Sequence, residues 1–201
     1  PIPVDEFIEK VLYHSKIGYY AKKIPFGKKG DFITAPTISN LFSEIVTIWL
    51  ISCWEKFGKP KKFNFVELGP GDGSFTKVLV DTMKNFPELN EAINIFLYEK
   101  SDFLKKTQTN KIKNSKVKWI NNFKSIKKGP VIFFGNEFFD AVPIKQFIFF
   151  KKDLFEKCYI INKKNGLNET YRKATLKDSQ VIKSFKTLLL QNKGSLDSSY
   201  R

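Results

Sequence analysis

The chain has 201 residues, a formal net charge of +15 and a hydrophobic content of 42%. This composition predicts a globular protein with a core and excludes a disordered chain. Two cysteines and one histidine, His14, are too few for a disulfide framework or a His-based metal site, so no metal is expected. The apolar run Ile45–Trp54 is too short to span a bilayer, which takes about 20 residues. The scarcity of histidine and cysteine excludes most hydrolases and metalloenzymes.

The first 60 residues (1–60) are predicted to form a helical segment with a loop. Apolar residues at helical spacing predict a helix over 4–14, and glycine and proline predict a loop over 19–37. A long helix is predicted over 38–57, with Thr37 as its N-cap. Its predicted apolar face is formed by Leu41, Phe42, Ile45, Val46, Ile48, Trp49 and Trp54.

Residues 61–162 alternate between strand and helix patterns, which predicts an α/β fold with a Rossmann-like parallel sheet. The predicted elements are strands at Phe63–Leu68, Ile93–Tyr98, Val117–Ile120 and Val131–Gly135, and helices at Ser74–Phe86 and Ser101–Asn110. Val131–Gly135 is apolar throughout and is predicted to be a central strand. A hairpin is predicted from Gln146–Phe150 and Lys157–Ile161. Residues 163–201 are predicted to form a polar segment with one amphipathic stretch, Val181–Leu190.

The sequence FVELGPGDGSF, residues 65–75, carries the strongest functional signal. Glu67 ends a predicted strand, and Gly69, Gly71 and Gly73 alternate after it. Glycine allows positive φ and close approach of a ligand, and the helix that follows points free N–H groups into the same space. The spacing matches neither G-x-G-x-x-G nor G-x-x-x-x-G-K-[ST]. The loop predicts a nucleotide-type pocket and resembles the first motif of class I S-adenosylmethionine (SAM) methyltransferases.

Acidic residues follow two further predicted strands. Glu99 ends the second strand, where an acid can accept hydrogen bonds from ribose hydroxyls. Asn136, Glu137 and Asp140 follow the fourth strand, and carboxylates there can hold a cationic substrate or act as a general base. A guanidinium suits them, because its planar fork pairs with carboxylates. The alternatives are a solvated acid at Glu99, a turn cap at Asp140 and an exposed Glu137.

The positive charge invites a nucleic-acid interpretation, because lysine contacts to phosphate supply most non-specific affinity. Lysines are densest from Lys100 to Lys128, but aromatic residues do not alternate with them as a stacking platform requires. The proline pair that orients a flipped base in base-methylating enzymes of this fold is also absent. A lysine-rich solvated surface is the simpler interpretation, so nucleic acid is not the expected partner.

The chain resembles the MidA-like methyltransferase family, which includes the mitochondrial complex I assembly factor that methylates an arginine. The resemblance covers roughly residues 13–160, and the GDFITAP and NEFFDA sequences are more distinctive than the glycine loop. The matching blocks are GYY (18–20), FGKKGDFITAP (26–36), ISNLFSEIVTIW (38–49), FVELGPGDGSF (65–75), YEKSDFLKKTQ (98–108), VKWI (117–120), GNEFFDAVPIKQF (135–147) and FEK (155–157).

The resemblance implies a class I SAM-methyltransferase fold with an amino-terminal lid. It implies SAM as cofactor and methylation of a protein arginine, linked to assembly of respiratory complex I. Glu137 and Asp140 would orient the substrate guanidinium. The implied cofactor-binding residues are Glu67, Gly69, Gly71, Asp72, Gly73, Glu99, Asn136, Asp31 and Thr34.

Several points stay open at this level. The family pattern continues past this length, so the carboxyl-terminal strands of the fold are predicted to be missing. The expected compartment is the bacterial cytoplasm, with the mitochondrial matrix as the alternative. A homodimer is an open possibility. The competing functions are a non-catalytic assembly or scaffold protein and, favoured only by charge, an RNA methyltransferase.

Overall fold

The computed structural model describes residues 1–22, 25, 30–32, 35–162 and 166–185. The helices are α1 (Val4–Tyr13), α2 (Tyr19–Lys22), α3 (Ala35–Ile38), α4 (Asn40–Lys56), α5 (Ser74–Met83), α6 (Pro87–Ala92) and α7 (Asp102–Ile112). The strands are β1 (Ile2–Pro3), β2 (Phe63–Leu68), β3 (Ile93–Tyr98), β4 (Val117–Ile120), β5 (Val131–Phe134), β6 (Phe147–Phe150), β7 (Asp153–Asn162) and β8 (Gly166–Lys173). The chain divides into a parallel-sheet unit, residues 10–142, and an antiparallel-sheet unit, residues 1–9 and 143–201.

The parallel-sheet unit contains a sheet with the order β4-β3-β2-β5, in which all pairs are parallel. This sheet, with helices between its strands, confirms the predicted α/β, Rossmann-like fold class. The register places Glu67 beside Leu97 on one side and Phe134 on the other. The carboxyl ends of β2, β3 and β5 therefore meet at one edge of the sheet, which is where ligands bind in open α/β folds.

The prediction that the fourth strand is central was wrong. Within the described residues, β5 pairs with β2 alone and forms one end of the sheet, while β2 and β3 lie inside it. Ile132 and Phe134 pack against the core, but Val131 and Phe133 are exposed on the other face. An apolar run indicates that a strand is hydrophobic on both faces, and it does not report whether neighbouring strands lie on both sides.

The main core lies between one face of the sheet and helices α4 and α5. Phe65, Phe75 and Phe134 form its aromatic part, with ring centroids 4.6 Å apart for Phe75 and Phe134. Leu50 and Leu79 are fully buried beside them. Burial of each such side chain stabilises the fold by roughly 1.5–3 kcal/mol, so this layer holds β2 and the start of α5 in place.

Helix α4 differs from the prediction at its start and on its surface. Ser39, and not Thr37, is the N-cap, because the Leu41 N–H donates to Ser39 Oγ at 3.1 Å. Thr37 lies within α3. Of the predicted apolar face only part is buried: Trp54 is 5% exposed, whereas Leu41, Ile45, Ile48 and Trp49 are each more than half exposed. The helix is apolar around most of its circumference, so its sequence does not identify the face that meets the core.

Other boundaries shift by a few residues. The predicted loop over 19–37 contains α2 and α3 in its described part. The predicted helix over 74–86 ends at Met83, and Pro87 begins a separate helix, α6, as proline favours a first helical position. No helix in the described ranges is long and apolar enough to cross a membrane.

The antiparallel-sheet unit is organised around β7. This strand pairs with β8 along its length and with β6 and β1 on its other side. The predicted hairpin is present, but its second strand begins earlier, at Asp153. Strand β8 was not predicted. Residues 176–185 are helical, and the rest of the predicted amphipathic stretch to residue 190 lies outside the described residues.

Candidate functional site

The glycine loop leaves the carboxyl end of β2 and leads directly into α5. The Gly69 N–H donates to the Tyr98 carbonyl at 3.0 Å, which joins the loop to the end of β3. Gly69, Gly71 and Gly73 have φ of +65°, +58° and +82°, in the region that side chains rarely adopt. Gly73 also allows close packing, because a β-carbon there would lie 3.3 Å from atoms of Gln108 and Ile112 in α7. Backbone conformation therefore favours glycine at all three positions, and close packing adds to this at Gly73.

Asp72 locks this loop internally. Its Oδ1 accepts the Ser74 N–H at 2.9 Å, and its Oδ2 accepts the Ser74 hydroxyl at 2.9 Å and Lys111 Nζ at 2.6 Å. Burial raises the pKa of Asp72, but the hydrogen bonds from Lys111 and Ser74 outweigh it and hold that pKa below its usual value. Asp72 is thus an ionised side chain whose acceptors are largely engaged by the protein.

Glu67 lies beneath the loop and is only 4% exposed. Thr76, in the first turn of α5, donates its hydroxyl to Glu67 Oε2. Burial raises the pKa of Glu67 to about 8, with the Thr76 hydrogen bond opposing the shift and the charges of Asp72 and Glu99 adding to it. Near neutral pH the buried Glu67 side chain is therefore mostly protonated and does not carry a fixed negative charge.

Glu99 stands at the end of β3 and is 7% exposed. Its Oε1 accepts the Ser101 N–H at 2.8 Å, and its Oε2 accepts Gln108 Nε2 at 3.2 Å. Burial raises the pKa of Glu99 in spite of these two hydrogen bonds. The Lys100 backbone also hydrogen-bonds to Glu99. A carboxylate has about four acceptor positions, so Glu99 retains capacity for a hydroxyl donor.

The segment after β5 brings together the predicted substrate-side residues. Asn136 is half-buried, and Glu137 and Asp140 are exposed. Neither carboxylate makes a hydrogen bond or an ion pair with another described residue. Glu137 has φ of +54°, which is uncommon for a residue other than glycine. The ring of Phe138 meets Tyr98 edge-on, with centroids 6.3 Å apart, and so holds the segment beside the ends of β2 and β3.

The amino-terminal segment reaches both strand-end loops. Tyr13 donates its hydroxyl to the Ala141 carbonyl at 3.0 Å, and Ser101 Oγ donates to the Tyr20 carbonyl at 2.8 Å. The rings of Tyr13 and Tyr20 stack with centroids 5.6 Å apart. Burial raises the pKa of the Tyr20 phenol, and the charges of Glu99 and Asp140 add to that shift. Tyr20 therefore lies near both Glu99 on the cofactor side and Asp140 on the substrate side.

Of the two predicted lid residues, Asp31 lies within the described residues. Asp31 is exposed and accepts a hydrogen bond from the Tyr19 hydroxyl, which ties it to the same amino-terminal segment. Thr34 lies outside the described residues. The role of both residues in binding stays a prediction.

Several residues of this site carried no assigned role at the level of the sequence. Gln108 had a recognisable signal: it lies between Leu104 and Ile112 on the buried stripe of α7, where a polar residue needs partners. Tyr20 and Phe138 had none, because their contacts join distant parts of the chain. The unassigned residues are Tyr13, Tyr20, Thr76, Gln108, Trp119 and Phe138.

Comparisons with known proteins agree with this architecture. A family model described as "Putative S-adenosyl-L-methionine-dependent methyltransferase" matches residues 45–198. "Protein arginine methyltransferase NDUFAF7 homolog, mitochondrial" of Drosophila melanogaster is 33% identical over 166 residues, covering 72% of this chain and 38% of that protein. The human protein arginine methyltransferase NDUFAF7, mitochondrial, is 32% identical over 174 residues, covering 73% and 39%. The chain thus spans about two fifths of the length of these relatives.

Solved structures support the fold. A protein of the COG1565 superfamily from Burkholderia thailandensis, crystallised with S-adenosyl-homocysteine, superposes with a TM-score of 0.70 at 23% identity. The match covers 87% of this chain and 46% of that one. A native structure from the same organism gives a TM-score of 0.66 at 22% identity, covering 89% and 45%. At these identities the similarity shows a shared fold.

Proposed function

Because the chain belongs to the family of S-adenosyl-L-methionine-dependent methyltransferases that its sequence predicted, we propose that it binds SAM at the carboxyl edge of the parallel sheet and methylates an arginine of a protein. The observation that carries the proposal is the placement of two buried acids, Glu67 and Glu99, on either side of a glycine loop with positive φ. The arginine is suggested by the names of the relatives, which are protein arginine methyltransferases.

The chemistry of these residues fits SAM. SAM carries a ribose diol, an ammonium group and a sulfonium centre. In the proposal Glu99 accepts a hydrogen bond from the ribose diol with its remaining acceptor capacity. A cation bound at the amino-acid end would lower the raised pKa of Glu67 and so favour its ionised form. Gly69, Gly71 and Gly73 allow the ligand to approach the backbone. Both acids are buried, which strengthens their interaction with a cation once water is excluded.

The remaining predicted contacts have different parts in the proposal. Asp72 holds the glycine loop through Ser74 and Lys111, so it positions the loop more than it contacts the cofactor. Asn136 is proposed to contact the cofactor from the end of β5. Asp31 and Thr34 are proposed to belong to a lid.

Glu137 and Asp140 are proposed to orient the guanidinium. When bound, SAM supplies an electrophilic methyl group on sulfur. The residues of the chain then contribute mainly position, because an in-line displacement needs the acceptor nitrogen aligned with that methyl group. Two exposed carboxylates that pair with no other described residue suit a guanidinium, which can pair with both. The left-handed backbone of Glu137 is an observed strain of the kind that concentrates at functional sites.

The biological setting is proposed from the relatives and from the sequence resemblance. A subunit of respiratory complex I is the proposed substrate. The mitochondrial names of the relatives favour the mitochondrial matrix over the bacterial cytoplasm.

The experiment supplies methyl-labelled SAM to the purified chain together with a lysate, and then separates protein from RNA. Label in protein that yields methylarginine on acid hydrolysis supports the proposal. Label in RNA would favour the RNA methyltransferase, and cofactor binding without transfer would favour the non-catalytic scaffold. The variant Glu137→Gln with Asp140→Asn should lose transfer, whereas Glu91→Gln, an exposed carboxylate on α6, should retain it.

A further inference from the structure

The Gln108 side chain joins the elements of the proposed cofactor site. It is fully buried in α7. Its Nε2 donates to the Gly71 carbonyl at 2.8 Å and to Glu99 Oε2 at 3.2 Å, and its Oε1 accepts Trp119 Nε1 at 2.7 Å. One amide thus connects the glycine loop, the acid after β3 and the strand β4.

The orientation of this amide follows from its neighbours. The Trp119 indole can only donate a hydrogen bond, so the acceptor oxygen of Gln108 must face it. The Gly71 carbonyl and the Glu99 carboxylate can only accept, so the amide nitrogen must face them. The two hydrogens of that nitrogen serve the two acceptors, and every polar atom of the side chain is satisfied.

We propose that Gln108, oriented by Trp119, is a positioning residue that holds the Glu99 carboxylate and the Gly71 backbone in the relative placement that cofactor binding requires. The inference rests on the proposed function only in taking this site as the SAM site. It does not depend on which molecule receives the methyl group. Gln108 acts through Glu99 and Gly71 and has no direct part in the chemistry.

Loss of the amide has two consequences for the site. The Gly71 carbonyl and Glu99 Oε2 would lose a buried donor, and a buried acceptor without a partner is costly. The ionised form of Glu99 would also be less favoured, since the Gln108 hydrogen bond opposes the effect of burial on its pKa. As the pH is lowered, Glu99 would then be protonated at a higher pH than in the unmodified chain. A ligand that needs ionised Glu99 should therefore begin to lose affinity at that higher pH.

The other titratable groups near Glu99 are the same residues in such a variant. They are Lys105 in α7, Tyr20 in the amino-terminal segment and Glu67 at the end of β2. A change in the pH profile on replacing Gln108 is therefore attributable to the amide. Ser101, which donates to Glu99 Oε1 through its backbone, is also unaffected.

The experiment measures binding of S-adenosyl-homocysteine by calorimetry from pH 6 to pH 9 for the unmodified chain, Gln108→Met and Trp119→Phe. Met has a similar length and no donor, so it keeps volume while removing the hydrogen bonds. Gln108→Met should weaken binding about tenfold or more, equivalent to about 1.4 kcal/mol. On lowering the pH, this variant should also lose affinity at a higher pH than the unmodified chain does. Trp119→Phe frees the amide without removing it and should give a smaller loss in the same direction.

Leu104→Met is the matched control. Leu104 lies one turn before Gln108 on the same buried face, and it makes no side-chain hydrogen bond. It should keep the unmodified affinity and pH profile, with thermal unfolding measured on every variant. If Gln108→Met does not fold, the affinity and pH profile of Trp119→Phe test the positioning role instead.

The positioning role would be overturned if Gln108→Met kept the affinity and the pH profile of the unmodified chain, whatever its change in stability. If Gln108→Met does not fold, the same result in Trp119→Phe would overturn it. A chain that binds the ligand but methylates no arginine would contradict the proposed function and leave this inference standing. A chain that binds no ligand would overturn both.

Discussion

The ring of Phe138 lies directly against Gly69, so that a β-carbon built on Gly69 would be 2.9 Å from Phe138 Cδ2. The contact joins the first glycine after β2 to the segment after β5. Because Glu137 precedes Phe138 and Asp140 lies two residues beyond it, the contact also sets where the two proposed guanidinium ligands stand relative to the glycine loop. A glycine and an aromatic ring therefore couple the cofactor side of the proposed site to its substrate side.

Gly69→Ala should disturb this coupling. The added methyl group would displace the Phe138 ring and would strain a backbone at φ of +65°. We expect a loss of stability of about 1–2 kcal/mol and weaker binding of S-adenosyl-homocysteine, measured by chemical unfolding and calorimetry.

Gly58→Ala is the control for Gly69→Ala. Gly58 has φ of +79°, and a β-carbon there would meet no atom within 4 Å. It therefore imposes the backbone strain without the clash and should lower stability by about 1 kcal/mol while leaving ligand affinity unchanged. Equal effects of the two variants on ligand affinity would show that the Phe138 contact is irrelevant to binding.

The buried acid Glu67 should make stability depend on pH. Its pKa is about 8 in the fold against an ordinary value of 4.5, so between these values the folded chain binds a proton that the unfolded chain releases. Its contribution to stability therefore falls as pH rises from about 4.5 to about 8 and is level above that. Glu67→Gln should remove this dependence, with a gap to the unmodified chain on the order of a few kcal/mol at pH 8.

Denaturant unfolding at intervals from pH 5 to pH 9 measures the effect. Thr76→Val provides a second variant, because it removes the hydroxyl that favours the ionised form of Glu67. It should extend the decline in stability to higher pH. Parallel pH curves for the unmodified chain and Glu67→Gln would refute the raised pKa.

Glu137 should show a conflict between stability and activity. Its φ of +54° suits glycine better than glutamate, so Glu137→Gly should stabilise the fold by about 0.5–1 kcal/mol while lowering methyl transfer. Lys113→Gly is the control, because Lys113 has φ of +47° at the carboxyl end of α7, where glycine is preferred. It should give similar stabilisation with unchanged transfer. If Glu137→Gly transferred methyl groups as well as the unmodified chain, Glu137 would have no role in orienting the guanidinium.

The stability of the antiparallel-sheet unit should depend on an ion pair between a buried carboxylate and a partly exposed guanidinium. Glu156 is fully buried, and its Oε2 accepts Arg172 Nε at 2.8 Å. Lys145 Nζ lies 3.1 Å from Oε1, but Arg172 is the partner that hydrogen-bonds to Oε2. Arg172→Met should therefore lower the free energy of unfolding by about 2 kcal/mol, because Glu156 would lose its hydrogen-bonded partner.

Lys173→Met is the comparison for Arg172→Met. The pair of Lys173 with Asp153 is exposed on both sides, and its loss should cost less than about 0.5 kcal/mol. Thermal unfolding of the two variants should therefore give clearly different midpoints. Similar midpoints would mean that the Glu156 pair contributes no more than a surface pair.

Local patterns were sufficient for much of the proposed cofactor site. The strands Phe63–Leu68, Ile93–Tyr98 and Val117–Ile120 have the predicted bounds, because short apolar runs between turn signals are a property of neighbouring residues. Glu67 and Glu99 follow from the same reasoning, since an acid at the end of a parallel strand necessarily reaches the ligand edge. The glycine loop was recognisable because positive φ restricts the choice of residue locally.

Residue patterns along the chain were thus enough to predict the fold class, the family and the edge of the sheet at which the acids and glycines meet. Three features were visible only in the folded chain: β5 ends the described sheet, much of α4 is exposed, and Gln108 links Glu99 to Gly71. The fold also brings Tyr13 to Ala141, 128 positions away in the chain. Such features depend on which surfaces pack together, and local periodicity reports which faces are apolar but not what each face meets.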